Sequence, residues 1–450
     1  MESCLVSPDR DAYNRGGAVA VFNGKQSLRI DLHQRKDKGD GPKYYNVNDV
    51  QFVPWLPDDS RLRLVSAGSD CTIQTVVLSV GDDEDEDDRV PVSEWEGTPV
   101  WIKMRKKMKE KSEDVSFRDY TDQNKEPSQL LFLPEPQNTV NVLAVTFTDG
   151  SVEMYKGLPS KKKGPLFKCE VGSKEPTALW GHGSSANSLF VSSTKWEDSD
   201  SAHVMLSVDG VTTVFALPED GDNMALSPDG GTLAAFTALS PSRCRVHLLD
   251  ARARSTKPLH SVNLEPFRHT HVLGMMSQPG EPCDCPAEVS AAAFSPDGVY
   301  LAVGRNDDTV HVYDVRMMRQ DSGLGKVTRS PVQMYEHTGG DVQPRRAGRM
   351  GQCELSGITD LQWVEGNRRR PGLITGGDDG IVRLWDVQVN ADGEKRQNGI
   401  ALGEASYAIS AMSLGARPDA DHPLVFGDAG GTMHVFSRQP GGYLFDDMFL

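Results

Sequence analysis

The sequence lacks a hydrophobic run of the length that a membrane-spanning helix needs, about 18 or more apolar residues in succession. Its first residues, MESCLVSPDRDAYNRGG, also lack the basic start and continuous apolar stretch of a secretory signal peptide. The 7 cysteines of this 450-residue chain are scattered and odd in number, which excludes a disulfide framework. We therefore expect an intracellular protein with reduced thiols, in the cytoplasm or the nucleus, and no contact with a membrane.

Basic residues are also in deficit. The chain has 48 Lys and Arg against 64 Asp and Glu, a formal net charge of −16. We expect no direct binding to nucleic acid, because phosphate contacts need clustered Lys and Arg. The acidic run Asp82 to Asp88 is predicted to be a solvated, disordered loop, since like charges repel. The alternative is that this run docks a basic partner, such as a histone-like tail.

Short catalytic signatures are absent as well, including G-x-S-x-G, G-x-x-x-x-G-K and H-E-x-x-H. We therefore predict that the protein is not an enzyme and binds no cofactor. One constellation resembles a metal site by ligand type, with two imidazoles and two thiolates, as in structural zinc sites: His269, His271, Cys283 and Cys285. Their spacing matches no known finger, so we favour a strand that leads into a Pro/Gly loop without metal.

What the sequence does contain is a repeat. In the clearest copy, LITGGDDGIVRLWDV at Leu373 to Val387, an apolar run and a Gly/Asp turn precede a run of alternating polarity. Such a pattern predicts a β-hairpin. Related segments end at Leu78, Gly157, Leu217, Arg252, Val315 and Ser437, which makes seven copies. A strand precedes each hairpin and another follows it, so each unit is predicted to be a four-stranded sheet.

These repeats resemble the WD40 family. The resemblance is carried by Trp385-Asp386 at the end of a third strand, by the variant Tyr313-Asp314, and by Gly181-His182 before a first strand. Turn aspartates stand where the family places them, at Asp70, Asp149, Asp209, Asp307 and Asp379. The resemblance implies an all-β, seven-bladed β-propeller. Because one copy keeps Trp-Asp and most lack Gly-His, the family's network of Asp, His, Ser/Thr and Trp is expected to be incomplete in every blade.

The repeats also predict the domain organisation. We expect an N-terminal extension at 1–18, the propeller at 19–438 and a tail at 439–450, with insertions at about 80–128 and about 319–355. Segments Val19 to Phe22 and Leu28 to Leu32 are strands without a blade, and the last copy supplies three strands. Since an N-terminal strand commonly closes the ring in this family, we predict that Leu28 to Leu32 is the outer strand of the last blade.

A rigid propeller presents loops on two faces, so the sequence predicts a non-catalytic scaffold that binds other proteins. Two alternatives stay open. Asp250-Ala251-Arg252 and Asp314-Val315-Arg316 end successive repeats. This is similar to the box of WD proteins that serve as substrate receptors of cullin-RING ubiquitin ligases, and the resemblance implies that these Asp and Arg side chains contact a partner. The second alternative is a chromatin-associated or complex-assembly subunit.

Overall fold

Nearly all regular structure in a computed structural model of the chain is β-strand. The structure describes residues 18–22, 27–31, 33–36, 42–54, 62–81, 101–103, 117–119, 125–133, 141–159, 164–182, 187–196, 202–253, 255–267, 287–318, 328–337, 357–365, 371–387, 399–414, 424–429 and 432–436. In this part of the chain one short helix, α1 (Val315–Met318), is present. No helix there is long and apolar enough to cross a membrane.

The chain divides into two compact units. The N-terminal unit comprises Glu2–Trp180 and Ala186–Thr212. Its strands, the last of which runs two residues into the other unit, are β1 (Ala18–Phe22), β2 (Ser27–Asp31), β3 (Gln34–Lys36), β4 (Pro42–Tyr44), β5 (Val47–Phe52), β6 (Leu62–Gly68), β7 (Thr72–Gly81), β8 (Trp101–Lys103), β9 (Phe117–Asp119), β10 (Pro127–Phe132), β11 (Val142–Phe147), β12 (Ser151–Lys156), β13 (Phe167–Glu170), β14 (Thr177–Trp180), β15 (Leu189–Ser192), β16 (His203–Ser207) and β17 (Gly210–Val214).

The C-terminal unit comprises Gly181–Ser185 and Thr213–Leu450, together with Met1. Its strands are β18 (Asp220–Leu226), β19 (Thr232–Ser240), β20 (Arg243–Asp250), β21 (His260–Asn263), β22 (Val289–Phe294), β23 (Tyr300–Arg305), β24 (Thr309–Asp314), β25 (Gln333–Glu336), β26 (Ile358–Glu365), β27 (Pro371–Gly377), β28 (Ile381–Asp386), β29 (Ile400–Glu404), β30 (Ile409–Leu414), β31 (Leu424–Asp428) and β32 (Met433–Phe436). The helix α1 follows β24 directly.

Strands β5 to β32 form the seven blades of a β-propeller, which confirms the predicted fold class, and β1–β2 and β3–β4 are separate two-stranded sheets. We number the blades in chain order: blade 1 is β5–β9, blades 2 to 6 are β10–β13, β14–β17, β18–β21, β22–β25 and β26–β29, and blade 7 is β30–β32. Consecutive strands of a blade pair antiparallel, as short connections allow. The predicted strand, turn, strand pattern is therefore correct for most copies.

The hydrophobic core lies between neighbouring blades. In the C-terminal unit, Phe236 and Val246 of blade 4 pack in one cluster with Leu301 of blade 5. Val312 of blade 5 similarly shares a cluster with Leu361 and Trp385 of blade 6. Alternation of side chains along each strand makes this possible, because every sheet then has one apolar face for each neighbour.

The prediction that Leu28 to Leu32 completes the last blade is wrong. Strand β2 pairs with β1 in a separate two-stranded sheet, and blade 7 has three strands in the described part of the chain. Four residues that include Asn23-Gly24 separate β1 from β2. A short Asn-Gly connection favours a local hairpin, which costs less loop-closure entropy than pairing across the whole sequence.

Both predicted insertions contain strands. In the first, β9 pairs with the start of β7 and β8 pairs with its end, so the two together give blade 1 five strands. In the second, β25 is the fourth strand of blade 5. Blade-forming segments therefore lie inside stretches whose irregular spacing predicted surface loops.

Candidate functional site

Blade 6 contains a complete WD40-type polar network. Trp385 Nε1 donates a hydrogen bond to Thr375 Oγ1 at 2.8 Å. The same hydroxyl lies 2.7 Å from His337 Nε2, and His337 Nδ1 lies 3.0 Å from Asp379 Oδ1. The expectation of an incomplete network in every blade is therefore wrong for this blade. Sequence analysis did not identify His337, because Glu336 precedes it in place of the glycine of the Gly-His motif.

The environment of this network favours neutral histidine. Burial lowers the pKa of His337, even though Asp379 opposes the shift. Burial alone would raise the pKa of Asp379, but its hydrogen bond to His337 and the charges of His337 and Arg383 outweigh it and lower that pKa. The Trp385 ring stacks on Tyr335, with centroids 4.6 Å apart. The network is thus a buried structural element of blade 6 that also packs on β25 of blade 5.

Blade 1 carries a similar network without tryptophan. His33 Nδ1 lies 2.8 Å from Asp70 Oδ1, and His33 Nε2 lies 2.8 Å from Ser66 Oγ. The Thr72 hydroxyl donates to Asp70 at 2.8 Å. Val76 fills the aromatic position of this repeat. Sequence analysis missed His33, which is fully buried, because no glycine precedes it and it lies 37 residues from Asp70.

In other blades a charged side chain, and not a histidine, is the buried partner of the carboxylate. In blade 5 the buried Arg305 guanidinium donates to both carboxylate oxygens of Asp307, and also to the carbonyls of Glu265 and Pro266. It lies over the Phe267 ring, 3.8 Å from the centroid. Each of its nitrogens therefore has a structural partner.

Blades 2 and 4 use other pairs. In blade 2, buried Lys125 Nζ lies 2.9 Å from Glu153 Oε1 and 3.8 Å from the Phe147 ring centroid. In blade 4, Glu219 pairs with both Arg245 and His247. Burial opposes ionisation of Glu219, but the hydrogen bond and charge of His247, with the charge of Arg245, lower its pKa overall. Each cluster belongs to a single blade.

The structure places most of the predicted repeat positions as expected. Trp385-Asp386 ends β28 and Tyr313-Asp314 ends β24, both third strands. Asp70, Asp149, Asp307 and Asp379 lie in turns between second and third strands. Their carboxylates accept hydrogen bonds from the residue two positions later, which closes the turn.

Two predicted positions need correction. Asp209 lies between β16 and β17, the third and fourth strands of blade 3, and not in the turn between second and third strands. Its Val-Asp-Gly sequence resembles that of the expected turn. Sequence analysis therefore took the third and fourth strands of this blade for its second and third strands. His182 follows β14, the first strand of blade 3, whereas Gly-His was expected to precede a first strand. It hydrogen-bonds the Ser227 carbonyl at 2.8 Å.

Carboxylates that sequence analysis missed link neighbouring blades within each unit. Each lies where the pairing of the first two strands of a blade shifts register, and accepts an amide hydrogen from the first strand of the next blade. Asp49 accepts from Leu130 at 2.7 Å, Asp222 from Val289 at 2.6 Å and Asp360 from Met412 at 2.7 Å. Burial raises the pKa of all three.

The two Asp-x-Arg segments lie at the ends of the third strands of blades 4 and 5, where Asp250 ends β20 and Asp314 ends β24, directly before α1. Arg252 Nη2 lies 2.7 Å from Asp229 Oδ2, in the turn between β18 and β19. Arg316 donates to its own Asp314 through Nε at 3.0 Å and Nη2 at 2.6 Å. This bidentate pair lowers the pKa of Asp314, mainly through the Arg316 hydrogen bond. Both guanidiniums therefore bind a carboxylate of their own blade.

The remaining predicted sites lie outside the described residues. These are the acidic run Asp82 to Asp88 and the metal candidates His269, His271, Cys283 and Cys285. Within the described ranges, no three His, Cys, Asp or Glu side chains are grouped so as to hold a metal ion.

Comparison with known proteins gives local sequence matches. The family model "WD domain, G-beta repeat" matches residues 281–314 and 351–386. Echinoderm microtubule-associated protein-like 2 from Homo sapiens is 30% identical over 101 residues, which is 22% of this chain. The Rattus norvegicus protein is 29% identical over 102 residues. The match spans 11% of the length of either relative.

Solved structures match over most of the chain. The Dos1 propeller has a TM-score of 0.57 at 13% identity and covers 93% of this chain and 86% of its own. Sqt1 from Chaetomium thermophilum has a TM-score of 0.54 at 17% identity, and the match covers 89% of this chain and 84% of that chain. The same protein bound to the N-terminus of ribosomal protein L10 has a TM-score of 0.51 at 17% identity, and the match covers 94% of this chain and 92% of that chain. At these identities the likeness shows a shared propeller fold alone.

Proposed function

This chain is a WD40-repeat β-propeller, and we propose that it works as a non-catalytic scaffold that binds other proteins. The observation that carries the proposal is that charged groups buried in the blades are engaged in structural contacts, as pairs within a blade and the connection leading into it or as hydrogen bonds to the next blade. His337 with Asp379, Arg305 with Asp307, and Lys125 with Glu153 are such pairs. Groups held in this way stabilise a rigid support, and loops on a rigid support carry recognition.

We infer that the Asp-x-Arg segments are part of the binding surface. Arg316 is 70% exposed and Arg252 is 49% exposed, so both can reach a partner. Arg252 lies beside the turn between the first two strands of blade 4. The amide of Val315, next to Arg316, bonds the Val299 carbonyl at the same turn of blade 5. A guanidinium that already binds one carboxylate keeps further N–H donors for a second.

The two alternative functions, a ligase substrate receptor and a chromatin-associated or complex-assembly subunit, predict different partners for this surface. A substrate receptor of a cullin-RING ligase would use Asp250, Arg252, Asp314 and Arg316 to hold the ligase adaptor. A chromatin-associated or complex-assembly subunit would instead recover other members of its complex. The Sqt1 structure with the N-terminus of ribosomal protein L10 offers a precedent in which a propeller binds a terminal segment of its partner.

Quantitative affinity capture with the tagged full chain tests these proposals. We compare wild type with the double variant Arg252→Ala/Arg316→Ala, and with Arg243→Ala as matched control. Arg243 is an exposed arginine at the start of β20, at the opposite end of blade 4. The scaffold proposal expects specific partners with wild type, and the surface proposal expects their loss only in the double variant.

Each outcome separates the proposals. An unrelated propeller protein with the same tag is captured in parallel as background. If wild type recovers no partner that is absent from this background, the scaffold proposal fails. If partners are kept by the double variant, or lost equally with Arg243→Ala, the Asp-x-Arg surface is wrong while the scaffold stands. Recovery of a cullin-RING adaptor by wild type, and its loss in the double variant, favours the substrate receptor.

A further inference from the structure

The connection between β20 and β21 of blade 4 places an exposed serine among cationic residues. This serine is Ser255, in the sequence RARSTK at 252–257. Arg252, Ser255 and Lys257 are all exposed. Among the serines in the described ranges, Ser255 and Ser66 have an arginine three positions earlier, but Ser66 is fully buried in β6. Of these two, Ser255 alone combines this arginine spacing with access to solvent.

The Ser255 hydroxyl makes weak local contacts. It accepts the Lys257 amide at 3.3 Å and donates to the Lys257 carbonyl at 3.2 Å, long distances for hydrogen bonds. The backbone on either side is better held. The Asp250 carboxylate accepts the Arg252 amide at 2.9 Å, and the Thr256 carbonyl accepts an amide of the segment after β17 at 2.7 Å. The connection therefore presents the hydroxyl to solvent, where another enzyme can reach it.

Arg252 is bound by a partner that a stronger anion can replace. Its Nη2 lies 2.7 Å from Asp229 Oδ2, and the Asp229 side chain is 67% exposed. Exposed ion pairs are weak, because solvent screens them. A phosphoserine carries a charge of about −1.5 to −2 near neutral pH and three acceptor oxygens. Since three residues span at most roughly 11 Å between Cα atoms, a phosphate on Ser255 lies within reach of the Arg252 guanidinium.

We propose that Ser255 is phosphorylated by a protein kinase that selects an arginine three residues before the serine, and that the phosphate draws Arg252 away from Asp229. Charge patterns of this kind are how kinases choose substrates. The transfer forms a bond between Ser255 Oγ and the γ-phosphorus of ATP. It breaks the bond from that phosphorus to the bridging oxygen, which leaves with its electron pair as part of ADP. The hydroxyl proton passes to the catalytic carboxylate of the kinase.

The phosphate changes the surface on which the Asp-x-Arg segments lie. The Arg252 guanidinium then binds a phosphate in place of Asp229, and a new negative group stands beside it. A partner that uses a carboxylate to bind Arg252 must compete with this phosphate and is repelled by it. Phosphorylation therefore opposes the binding of an acidic partner here. This last effect rests on the proposed function, whereas the phosphate and its contact with Arg252 do not.

A kinase assay on the folded full chain tests the site. The chain is incubated with ATP, Mg²⁺ and a purified arginine-directed serine kinase, and mass spectrometry locates the phosphate. We expect phosphate at Ser255 and none at buried Ser66. Ser255→Ala should abolish the transfer, whereas Ser406→Ala should keep it, because Ser406 is an exposed serine without a nearby arginine. No phosphate at Ser255, or equal transfer to Ser66, overturns the proposal.

The role of Arg252 in recognition has its own variant. Arg252→Ala should slow the transfer at least about tenfold, as expected for the loss of one charged contact with the kinase. Arg243→Ala is the matched control, because Arg243 is exposed at the opposite end of blade 4, and it should keep the wild-type rate. Equal rates in the two variants would show that Arg252 does not direct the kinase, against the proposal.

Phosphorus NMR tests the contact with Arg252 without a kinase or a partner. Phosphoserine is incorporated genetically in place of Ser255, in the otherwise wild-type chain and in Arg252→Ala. The second ionisation of a phosphoserine has its midpoint near about pH 6. A bound guanidinium favours the dianion, so the midpoint should lie at least about 0.5 pH units lower with Arg252 present. Equal midpoints would overturn the contact.

Affinity capture with the phosphorylated and unmodified chains then measures the effect on binding. Loss of partners on phosphorylation supports control of this surface, and their full retention contradicts it. A chain that recovers no partner in either form contradicts the scaffold proposal, while phosphate at Ser255 and a lowered midpoint would still establish the modification and its contact with Arg252.

Discussion

The guanidinium of Arg305 binds both carboxylate oxygens of Asp307, at 3.1 Å from Nε and 2.7 Å from Nη2, and both side chains are buried. In blade 6, His337 makes the corresponding bond to Asp379. Blade 5 therefore neutralises its turn aspartate with one arginine, whereas the turn aspartate of blade 6 binds both the His337 imidazole and the Arg383 guanidinium. A permanently charged partner makes the network depend on keeping both members.

Replacing Arg305 by methionine should strongly destabilise the protein. The change leaves Asp307 buried without its cation, which costs about 3–5 kcal/mol for a broken buried pair. Urea denaturation followed by tryptophan fluorescence measures the loss. The double variant Arg305→Met/Asp307→Asn removes both charges and should recover a large part of it. Equal instability of the single and double variants would show that packing, and not the charge pair, dominates.

Replacing Trp385 by phenylalanine should cost at least about 1–2 kcal/mol of unfolding free energy, because the hydrogen bond to Thr375 is lost and the smaller phenyl ring leaves part of the core unfilled. The control is Trp196→Phe, since Trp196 is 49% exposed. Chemical denaturation should separate the two variants clearly. A loss no greater in Trp385→Phe than in the control would mean that the indole N–H contributes nothing to blade 6.

Much of the fold could be predicted from local patterns. Blades 2, 5 and 6 have alternating strands around an aspartate turn, and their hairpins follow from a few adjacent residues. Blade 3 was displaced by one strand because its Val-Asp-Gly turn around Asp209 has the same local chemistry as the expected turn. Local patterns thus identify hairpins, but they do not number the strands within a blade.

The polar networks could be predicted only in part. Turn aspartates such as Asp379 have a fixed distance to the third strand, so they were found. His337 lies 42 residues from Asp379, across a connection of variable length, and no spacing rule reaches it. Arg305 and Lys125 put a cationic side chain in place of the histidine, which a motif search for histidine cannot detect. Contacts between blades, such as Asp222 with Val289, depend on tertiary packing alone.

Asp222 is expected to hold blade 5 against blade 4 through its hydrogen bond to the Val289 amide. Asp222→Ala leaves that amide unsatisfied and should cost about 1–3 kcal/mol. Asp222→Asn keeps an acceptor oxygen and should retain most of the stability. Urea denaturation of both, with Asp209→Ala as an exposed control, checks this order. If asparagine destabilises as much as alanine, the bond to Val289 is not what matters at this position.

Gly357 should tolerate no side chain. Its φ of 53° is strained for other residues, and a Cβ there would lie 2.3 Å from a backbone carbonyl oxygen. Gly357→Ala should lower the unfolding free energy by at least about 2 kcal/mol. Gly164→Ala is the control, because a Cβ at Gly164 meets no atom within 4 Å. Similar melting temperatures for the two variants would contradict the close packing of the blade 5 turn on Gly357.

The His337 network should weaken in mild acid. Burial lowers the pKa of His337 below its ordinary value of 6.5. The unfolded chain therefore takes up a proton at this histidine before the folded chain does, and stability is lost as pH falls below 6.5. His337→Gln removes the titrating group, so it should be less stable than wild type near neutral pH, and the difference should shrink toward about pH 5. Thr375→Val is the control, because it breaks the same network but keeps the histidine, and its difference from wild type should change little with pH. Melting curves across this range decide the matter, and a His337→Gln difference that stays constant would mean that His337 titrates alike in the folded and unfolded chain.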